Sequence, residues 1–548
     1  MIDEQSIIKV IDSLPFVKLK GGITEDNAVI NFYIETLVVE GCEPLDWQVR
    51  IDPVYPCKAE GMETVHFFNR NLMEYPHIMR SGFLCLHTPT MDNPAQQLTV
   101  DLTRLKEWID KYYVGKEIDD HYEELVVERR EIDGVYYNFY YTDTDNPIPK
   151  NDYGTVDLVP LVPGLHNGKR MNTFMVNAFH SKTSNVQYGC QWKENQQGNT
   201  LFEGIYCFLD KAPSLYNKFV LEKYSDMSTL FSWSQMEFLA KRAKERCMAP
   251  RIPLFCGYQI PNEEVRWQVA MLKTDAFPVK SEKVRCGGRP FMNYFFKKEF
   301  IDWAYPYNCS YSHFFGRGAA PLSLVEKKIL IIGVGAIGSI VATTLARCGV
   351  KFLDYYDIDL KEPGNVCRSD YDFLSGVSDK SYELSSILYS ISPFIHCEIL
   401  NKLLDLGIKK SIDDDEFKKN VLEVLNGYDI IFDCSTDDGL MYTFGKMNLK
   451  AKLINLSISN HAKELVCALC GNITETVKFI YNRIIDSDQT DMFYPTGCWN
   501  PTFKASYNDV ASKVQLALKH IIKMLTQKEP ESNFYISESM DGFKINRV

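Results

Sequence analysis

Three closely spaced glycines form the first group of residues that could do chemistry. Gly333, Gly335 and Gly338 follow a β-branched apolar run over 329–332 and lead into a helical pattern over 339–348. Glycines in these places permit a tight turn, close approach of backbone N–H groups to a phosphate, and close helix–strand packing. The helix N-terminus adds unpaired donors and the positive end of a dipole. The sequence therefore predicts a nucleotide site at this turn.

The next candidate is an acidic residue placed to hold a ribose. A second apolar run over 351–356 ends at Asp357, 19 residues after Gly338. A carboxylate at the end of that strand can accept hydrogen bonds from ribose hydroxyls. A dinucleotide-binding dehydrogenase would also need the glycines and this acid, so the two features together leave the nucleotide and the reaction open.

A series of polar side chains continues beyond the ribose acid. Its members are Asp359, Asn365, Arg368 and Lys380. A further buried strand over 428–432 ends in an acidic stretch with Asp433, Asp437 and Asp438. A dehydrogenase does not need this series around the phosphates. The series resembles the adenylating (ThiF-type) domain of ubiquitin-activating enzymes and of the bacterial relatives that activate sulfur-carrier proteins.

This resemblance implies an ATP site that activates a carboxylate. In the family, a carboxylate attacks the α-phosphorus of ATP and pyrophosphate leaves, so cations and Mg²⁺ must neutralise the phosphates. By resemblance, the three glycines shape the phosphate turn and Asp357 holds the ribose. Asp359 belongs to the same nucleotide-binding set, and contacts with the triphosphate come from Asn365, Arg368 and Lys380.

The metal ligand and one further arginine follow from the same resemblance. Asp437 is the expected Mg²⁺ ligand. The acidic stretch has one residue more than the family's Asp-Cys-Thr-Asp pattern, so Asp433 and Asp438 stay open as substitutes. The family also uses an arginine ahead of the first strand, and Arg317 is the nearest candidate.

Cys85 is the first candidate nucleophile, because a thiolate both attacks and leaves readily. Taken alone, a cysteine is more often a small buried hydrophobe. Around it the sequence predicts a helix over 4–13, an antiparallel meander with strands over 28–36, 47–52 and 63–69, and a helix over 102–113. This order resembles the ubiquitin-conjugating enzyme fold.

Particular residues sharpen the resemblance to conjugating enzymes. Tyr55-Pro56 stands where the family closes its meander. His77 occupies the last position of the family's His-Pro-Asn motif, and Cys85 lies eight residues beyond it. His77 replaces the asparagine that supports the thioester oxyanion. A histidine could donate the same hydrogen bond or could take a proton. The resemblance thus implies a catalytic Cys85 assisted by His77.

Cys498 is the second candidate nucleophile. It lies in a loop rich in glycine and proline, 494–503, ahead of a predicted last helix over 507–525. Loop cysteines lack core packing partners, and ubiquitin-activating enzymes carry a catalytic cysteine on a mobile segment over the nucleotide. Cys467 and Cys470 could be half of a zinc site, but a second Cys-x-x-Cys pair is absent from the sequence. We therefore predict no zinc and two core cysteines.

Length and composition set the frame for these sites. A length of 548 residues predicts several domains. The strand and helix patterns and the two resemblances predict an α/β multidomain protein. We expect an α+β conjugating-like domain over 1–130, a mixed α/β middle domain over 131–316 without readable chemistry, and a Rossmann-like adenylation domain over 317–548. The net charge of −12 argues against nucleic-acid and membrane-surface binding. Scattered cysteines and an acidic N-terminus without a signal-peptide pattern predict a soluble cytoplasmic protein.

The arrangement of both cysteines resembles the activating–conjugating fusion proteins of bacterial cyclic-oligonucleotide antiviral (CBASS-type) systems. That resemblance implies adenylation of a protein's C-terminus, a thioester on Cys498, transfer to Cys85, and attack by a target amine. It further implies a cGAS-like nucleotidyltransferase as cargo and a homodimer. Two alternatives stay open: a sulfur-carrier activator with an inactive N-terminal domain, and a non-catalytic scaffold that binds nucleotide.

Overall fold

The computed structural model describes most of the chain. It leaves out residues 1, 38–42, 60, 80, 119–122, 125–129, 193–201, 213, 216–217, 220, 246–248, 261–263, 287–288, 402–403, 486–491, 497, 503 and 527. For residues 123–124, 214–215, 218–219, 286, 289, 492–496 and 498–502 it describes the backbone alone. The chain divides into two compact units, Met1–Asn308 and Cys309–Val548. The finer division into three domains stays a prediction.

The first part of the N-terminal unit is a helix, a four-stranded antiparallel sheet in sequence order, and a second helix. Its elements are α1 Glu4–Ser13, β1 Val17–Asp26, β2 Val29–Thr36, β3 Leu45–Ile51, β4 Val65–Phe68, a 3₁₀ turn Arg70–Leu72, and α2 Pro94–Trp108, which continues as a π-helix Ile109–Val114. This order confirms the predicted helix–meander–helix outline, and it adds β1 as a first strand that the three predicted strands do not include. The second helix begins eight residues before the predicted start, because Asn93 caps it and Pro94 occupies its first turn.

The rest of the N-terminal unit is built around a nine-stranded sheet. Its elements are β5 Glu123–Glu124, β6 Tyr136–Tyr141, β7 Tyr153–Pro160, β8 Gly164–His166, β9 Lys169–Ser181, β10 Gln187–Gly189, β11 Phe202–Phe208, β12 Ser214–Leu215, β13 Lys218–Phe219, a 3₁₀ turn Tyr224–Met227, α3 Trp233–Arg242, β14 Arg251–Gln259, β15 Val265–Lys273, β16 Val279–Cys286, β17 Arg289–Phe296 and β18 Tyr305–Asn308. The main path of the large sheet runs β15-β14-β11-β7-β9-β6-β18, and β8 and β10 both pair with β9.

The C-terminal unit alternates helices and strands. Its elements are α4 Tyr311–Phe315, α5 Leu322–Val325, β19 Lys328–Ile332, α6 Ala336–Arg347, β20 Phe352–Tyr356, β21 Leu360–Lys361, a 3₁₀ helix Pro363–Arg368, β22 Ser378–Asp379, α7 Lys380–Ile391, α8 Leu404–Lys410, α9 Asp415–Leu425, β23 Ile430–Asp433, α10 Asp438–Phe444, β24 Lys452–Ser459, a 3₁₀ turn Asn460–Ala462, β25 Glu464–Ala468, α11 Ile473–Ile484, β26 Met492–Thr496, β27 Cys498–Thr502, α12 Tyr507–Leu525, β28 Phe534–Ser539 and β29 Gly542–Arg547.

A seven-stranded sheet in the order β20-β19-β23-β24-β25-β28-β29 forms the centre of this unit. β19 pairs in parallel with β20 and β23, and β23 pairs in parallel with β24, whereas the remaining pairs are antiparallel. Because parallel strands end at one edge, the residues after β19, β20 and β23 come together there. Helices α6 and α12 pack together, and Gln515 donates to the Thr344 hydroxyl at 2.6 Å. The predicted Rossmann-like sheet is thus confirmed.

Among the described residues, no helix has both the length and the apolar composition needed to cross a bilayer.

Candidate active site

The glycine turn between β19 and α6 leaves room for an approaching group at only one of its glycines. Gly333 has a φ of +81°, and a Cβ there would lie 2.6 Å from the Cα of Ser435. A Cβ on Gly338 would lie 2.0 Å from the carbonyl oxygen of Gly333. A Cβ on Gly335 would meet no atom within 4 Å, so its backbone faces open space. The turn therefore has the form of a phosphate cradle.

Asp357, directly after β20, stabilises this turn through hydrogen bonds to its backbone. One carboxylate oxygen accepts from the Val334 N–H at 2.8 Å and the other from the Asp359 N–H at 2.8 Å. Burial raises the pKa of Asp357, while the charge of Lys380 opposes that change. Each carboxylate oxygen has a second lone pair that a ribose hydroxyl could use. Asp357 thus can hold both the loop and a sugar.

Asp359 and Lys380 form an ion pair beside Asp357. The Lys380 Nζ lies 2.8 Å from an Asp359 carboxylate oxygen, and the lysine side chain is only 9% exposed. The short strands β21 and β22 pair Leu360 with Asp379, which brings the two charged residues together across 21 positions of sequence. A cation held in this way is placed beside the glycine turn.

Asn365 and Arg368 lie in the 3₁₀ helix Pro363–Arg368, and both are half-buried. The Asn365 side chain accepts from the Glu362 N–H at 2.8 Å, which fixes the start of this helix. Just past its end, the Asp370 N–H donates to the Ser339 hydroxyl at 3.2 Å. Since Ser339 follows Gly338, Asp370 lies against the first turns of α6, two residues beyond Arg368.

A buried ion pair supports the segment that carries these polar residues. Lys361 and Glu383 are 1% and 5% exposed, and their charged groups lie 3.0 Å apart. Glu383 also accepts from the hydroxyls of Ser375 at 2.6 Å and Ser378 at 2.9 Å. Burial alone would raise the pKa of Glu383, but these donors and Lys361 outweigh it and the pKa lies below its usual 4.5.

Because that pKa is lowered, the Glu383 carboxylate stabilises the C-terminal unit above pH 4.5 and loses this effect as pH falls below it. We expect Glu383→Gln to cost about 3 kcal/mol of unfolding free energy at pH 7, since Lys361 stays charged and buried. The difference from wild type should shrink between about pH 5 and pH 3. Urea unfolding at several pH values measures it, with the exposed Glu423→Gln as control. A difference independent of pH would contradict the assignment.

The acidic stretch that begins at the last residue of β23 contains three carboxylates in different surroundings. Asp433 is 1% exposed and accepts from the Ser435 hydroxyl at 2.6 Å and the Asn455 amide at 2.9 Å. Burial raises the pKa of Asp433. Asp438 is exposed at the first position of α10.

Asp437 differs from both neighbours because it caps α10 and is paired with a lysine. One oxygen accepts from the Gly439 and Leu440 N–H groups, at 2.8 and 3.0 Å, and the other lies 2.7 Å from Lys409 Nζ. Burial would raise the pKa of Asp437, but Lys409 and the helix donors lower it, which favours the charged form that a divalent cation requires. Its role as Mg²⁺ ligand stays a prediction.

Four further residues are candidates from the sequence. Arg317 is exposed in the turn after α4. Cys467 is fully buried in β25 and Cys470 is partly buried just beyond it. Within the described part of the chain, no group of three or more histidine, cysteine or acidic side chains is arranged as a metal site. Cys498 lies in β27, which forms a hairpin with β26, and its side chain falls outside the described residues.

In the N-terminal unit, the structure brings His77 and Cys85 together through the backbone. The Cys85 N–H donates to the His77 carbonyl oxygen at 2.8 Å, and Ile78 and Leu84 form a bridge beside it. His77 has a φ of +64°, a conformation that costs energy in a residue with a side chain. Its Nε2 lies 3.2 Å from the Tyr112 hydroxyl. The predicted pair is therefore adjacent.

Sequence reasoning missed four residues of these sites: Tyr112, His87, Asp101 and Lys409. The nearly fully buried Asp101 accepts from Tyr55, Thr88 and Gln97, at 2.8 Å each, and so joins α2 to the segment after Cys85. Burial raises the pKa of Asp101. For His87 a signal existed, since it lies two residues after Cys85; for Lys409 the sequence has none.

Residues 313–441 match the family model described as the ThiF family. The C-terminal region contains a ThiF family domain. The match covers the glycine turn, Asp357, the Asp359–Lys380 pair and Asp437, and it ends before Cys498.

Proteins similar to parts of this chain include enzymes named for ubiquitin-like and sulfur chemistry. The ATP-dependent ubiquitin transferase-like protein Cap2 of Enterobacter hormaechei subsp. hoffmannii is 28% identical over 243 residues, 42% of this chain and 38% of that protein. The adenylyltransferase and sulfurtransferase MOCS3 of Drosophila grimshawi is 27% identical over 129 residues, 23% of this chain and 26% of that protein. The crystal structure of E. coli MccB with ATP is similar at 21% identity and a TM-score of 0.29, covering 41% of this chain and 64% of that one. The matched parts span less than two thirds of each protein.

Proposed function

We propose that this protein is an ATP-dependent protein-ligating enzyme that adenylates the C-terminal carboxylate of a protein cargo and passes it along two cysteines to an amine. The observation that carries the proposal is the glycine turn with Asp357 and the Asp359–Lys380 pair at one sheet edge, within a ThiF family domain. This donor set suits a nucleoside triphosphate, because it joins a phosphate cradle, a ribose acceptor and a held cation.

Each residue has a defined task in the adenylation step. The backbone at Gly335 approaches the phosphates and Asp357 accepts from the ribose. Lys380, Arg368 and Asn365 stabilise charge that develops on the phosphates as pyrophosphate leaves. Asp437 is the carboxylate that would hold Mg²⁺, which neutralises phosphate charge when bound.

Transfer from the adenylate then uses the two cysteines. The Cys498 thiolate attacks the cargo's acyl carbon, AMP leaves, and a thioester forms. The Cys85 thiolate attacks this thioester and releases Cys498, and a target amine finally attacks the acyl group on Cys85. Both thioesters keep the carbonyl activated for the next nucleophile. The backbone contact between His77 and Cys85 supports a role for His77 at the oxyanion of the last step.

The cargo proposed here is a cGAS-like nucleotidyltransferase with a free C-terminus, acted on by a cytoplasmic homodimer in CBASS-type antiviral defence. The similarity to Cap2, which is named as an ATP-dependent ubiquitin transferase-like protein, supports this direction. The acidic net charge of −12 agrees with a protein partner rather than a nucleic acid.

Cargo-dependent exchange of radioactive pyrophosphate into ATP tests the adenylation step directly. We expect Lys380→Met to slow this exchange about a hundredfold or more, because it removes a cation that faces the developing charge. Lys478→Met is the matched control, since Lys478 is exposed on α11, and it should exchange as wild type does. Exchange unchanged by Lys380→Met would remove Lys380 from the site.

Similarity to MOCS3, named as an adenylyltransferase and sulfurtransferase, favours a second function, activation of a sulfur-carrier protein without use of Cys85. Adenylation alone cannot separate the two functions, because both release pyrophosphate. Covalent adducts separate the two functions, because only the two-cysteine route forms thioesters on this protein. A scaffold that only binds nucleotide would show neither exchange nor adducts.

A further inference from the structure

The segment that contains Cys85 is extended, and its side chains alternate between core and surface. Leu84, Leu86 and Thr88 are 3%, 8% and 4% exposed. Cys85 is partly exposed and His87 is exposed. Because side chains two residues apart on an extended chain point to the same side, Cys85 and His87 share the outward face.

Hydrogen bonds hold both ends of this segment. The Leu84 N–H donates to the Phe67 carbonyl at 2.8 Å. Four residues on, the Thr88 N–H donates to a Glu63 carboxylate oxygen at 3.1 Å, and the Thr88 hydroxyl donates to Asp101 at 2.8 Å. His87 is therefore attached between a buried leucine and an anchored threonine, so its backbone position is defined.

This placement brings an imidazole to the thiol. The Nε2 of His87 lies 3.9 Å from the Sγ of Cys85, within the range of a hydrogen bond to sulfur. The Nε2 of His77, by contrast, lies 3.2 Å from the Tyr112 hydroxyl. An imidazole beside a cysteine can take the thiol proton and favour the thiolate, which is the nucleophilic form.

We infer that His87 is the general base for Cys85. This inference rests on the proposed function for its place in transfer. The Cys85 proton moves to His87 Nε2, the sulfur electron pair forms a bond to the thioester carbon, and the bond from that carbon to Cys498 breaks. The departing Cys498 thiolate then gains a proton, so that overall one proton passes from the Cys85 sulfur to the Cys498 sulfur.

The titratable groups connected to this pair belong to three elements. Glu63, which lies ahead of β4, accepts a hydrogen bond from the Thr88 N–H, and Asp101, which lies on α2, accepts one from the Thr88 hydroxyl. His77 reaches it through the Cys85 backbone, and the Tyr112 hydroxyl next to His77 accepts from Lys111 at 2.9 Å. The contacts of these groups reach the backbone, the Thr88 hydroxyl or each other, and the contact of His87 reaches the sulfur.

Alkylation of the full chain by iodoacetamide, without ATP or cargo, tests the inference between pH 6 and pH 10. Mass spectrometry of the Cys85 peptide gives the rate. At pH 7 we expect His87→Gln to react on the order of tenfold more slowly at Cys85 than wild type, and the rates should converge at high pH. His166→Gln, an exposed histidine in β8, is the matched control and should react as wild type does.

Cys57, which is exposed in the same unit, provides an internal reference in each sample, and its rate should not change. Equal Cys85 rates in wild type and His87→Gln at every pH would overturn the inference. The readout needs no nucleotide and is separate from the proposed function. If ATP-dependent adducts never form while alkylation still depends on His87, the function fails and the thiol–imidazole pair stands.

Discussion

Changing Cys498 to alanine is expected to abolish every ATP-dependent covalent adduct, whereas changing Cys85 to alanine should leave one adduct, stalled on Cys498. The order follows from the proposed chemistry, because the adenylate must pass to Cys498 before Cys85 can accept it. Non-reducing gels with Mg-ATP and a labelled nucleotidyltransferase cargo show the adducts. Thioesters are identified by their loss on treatment with thiol.

Cys57→Ala is the matched control for the cysteine experiment, because Cys57 is an exposed thiol of the same unit as Cys85. It should leave both adducts intact. Adducts that survive both Cys498→Ala and Cys85→Ala would contradict the two-cysteine route. Pyrophosphate release without any adduct would support activation of a sulfur-carrier protein.

Gly338→Ala is expected to have the largest effect on the nucleotide site. Its Cβ would lie 2.0 Å from the carbonyl oxygen of Gly333, and neither backbone can yield without separating α6 from β19. We expect a loss of about 3 kcal/mol in the unfolding free energy of the C-terminal unit, together with loss of ATP binding. Urea unfolding, hydrogen exchange over 336–347 and calorimetric titration with Mg-ATP measure these effects.

Gly335→Ala separates stability from binding in the same turn. Its Cβ meets no atom within 4 Å, so the unfolding free energy should stay within about 1 kcal/mol of wild type. We expect ATP affinity to fall by about tenfold or more, because the methyl group would occupy the space through which a phosphate approaches the backbone. If Gly335→Ala binds ATP as wild type does, the phosphates do not approach this glycine.

Sequence alone determined the features that depend on neighbouring residues. The helices predicted over 4–13 and 507–525 have the bounds of α1 and α12, because Asp3 and Ser506 cap them and their apolar residues repeat at the helical period. The strand–turn–helix with Gly333 and Gly338, and the acid Asp357 after the next strand, were predictable for the same reason. Their geometry is set within a short stretch of chain.

Helix α2 begins earlier than its apolar periodicity predicts. Apolar periodicity placed its start at 102, but the helix begins at Pro94, where Asn93 provides the cap. Its polar first turns face the network of Asp101, Thr88 and Tyr55, which no periodicity indicates. Buried polar contacts between distant segments follow from packing, not from local pattern.

Only the tertiary structure decided which side chains meet. The polar series from Asp357 to Lys380 indicated a site, but the pairing of β21 with β22 is what joins Lys380 to Asp359. The contact of Lys409 with Asp437 connects α8 to the cap of α10, across 28 positions of sequence. The sequence names the charged groups; because hydrogen bonds and ion pairs require distances near 3 Å, the fold selects the partners.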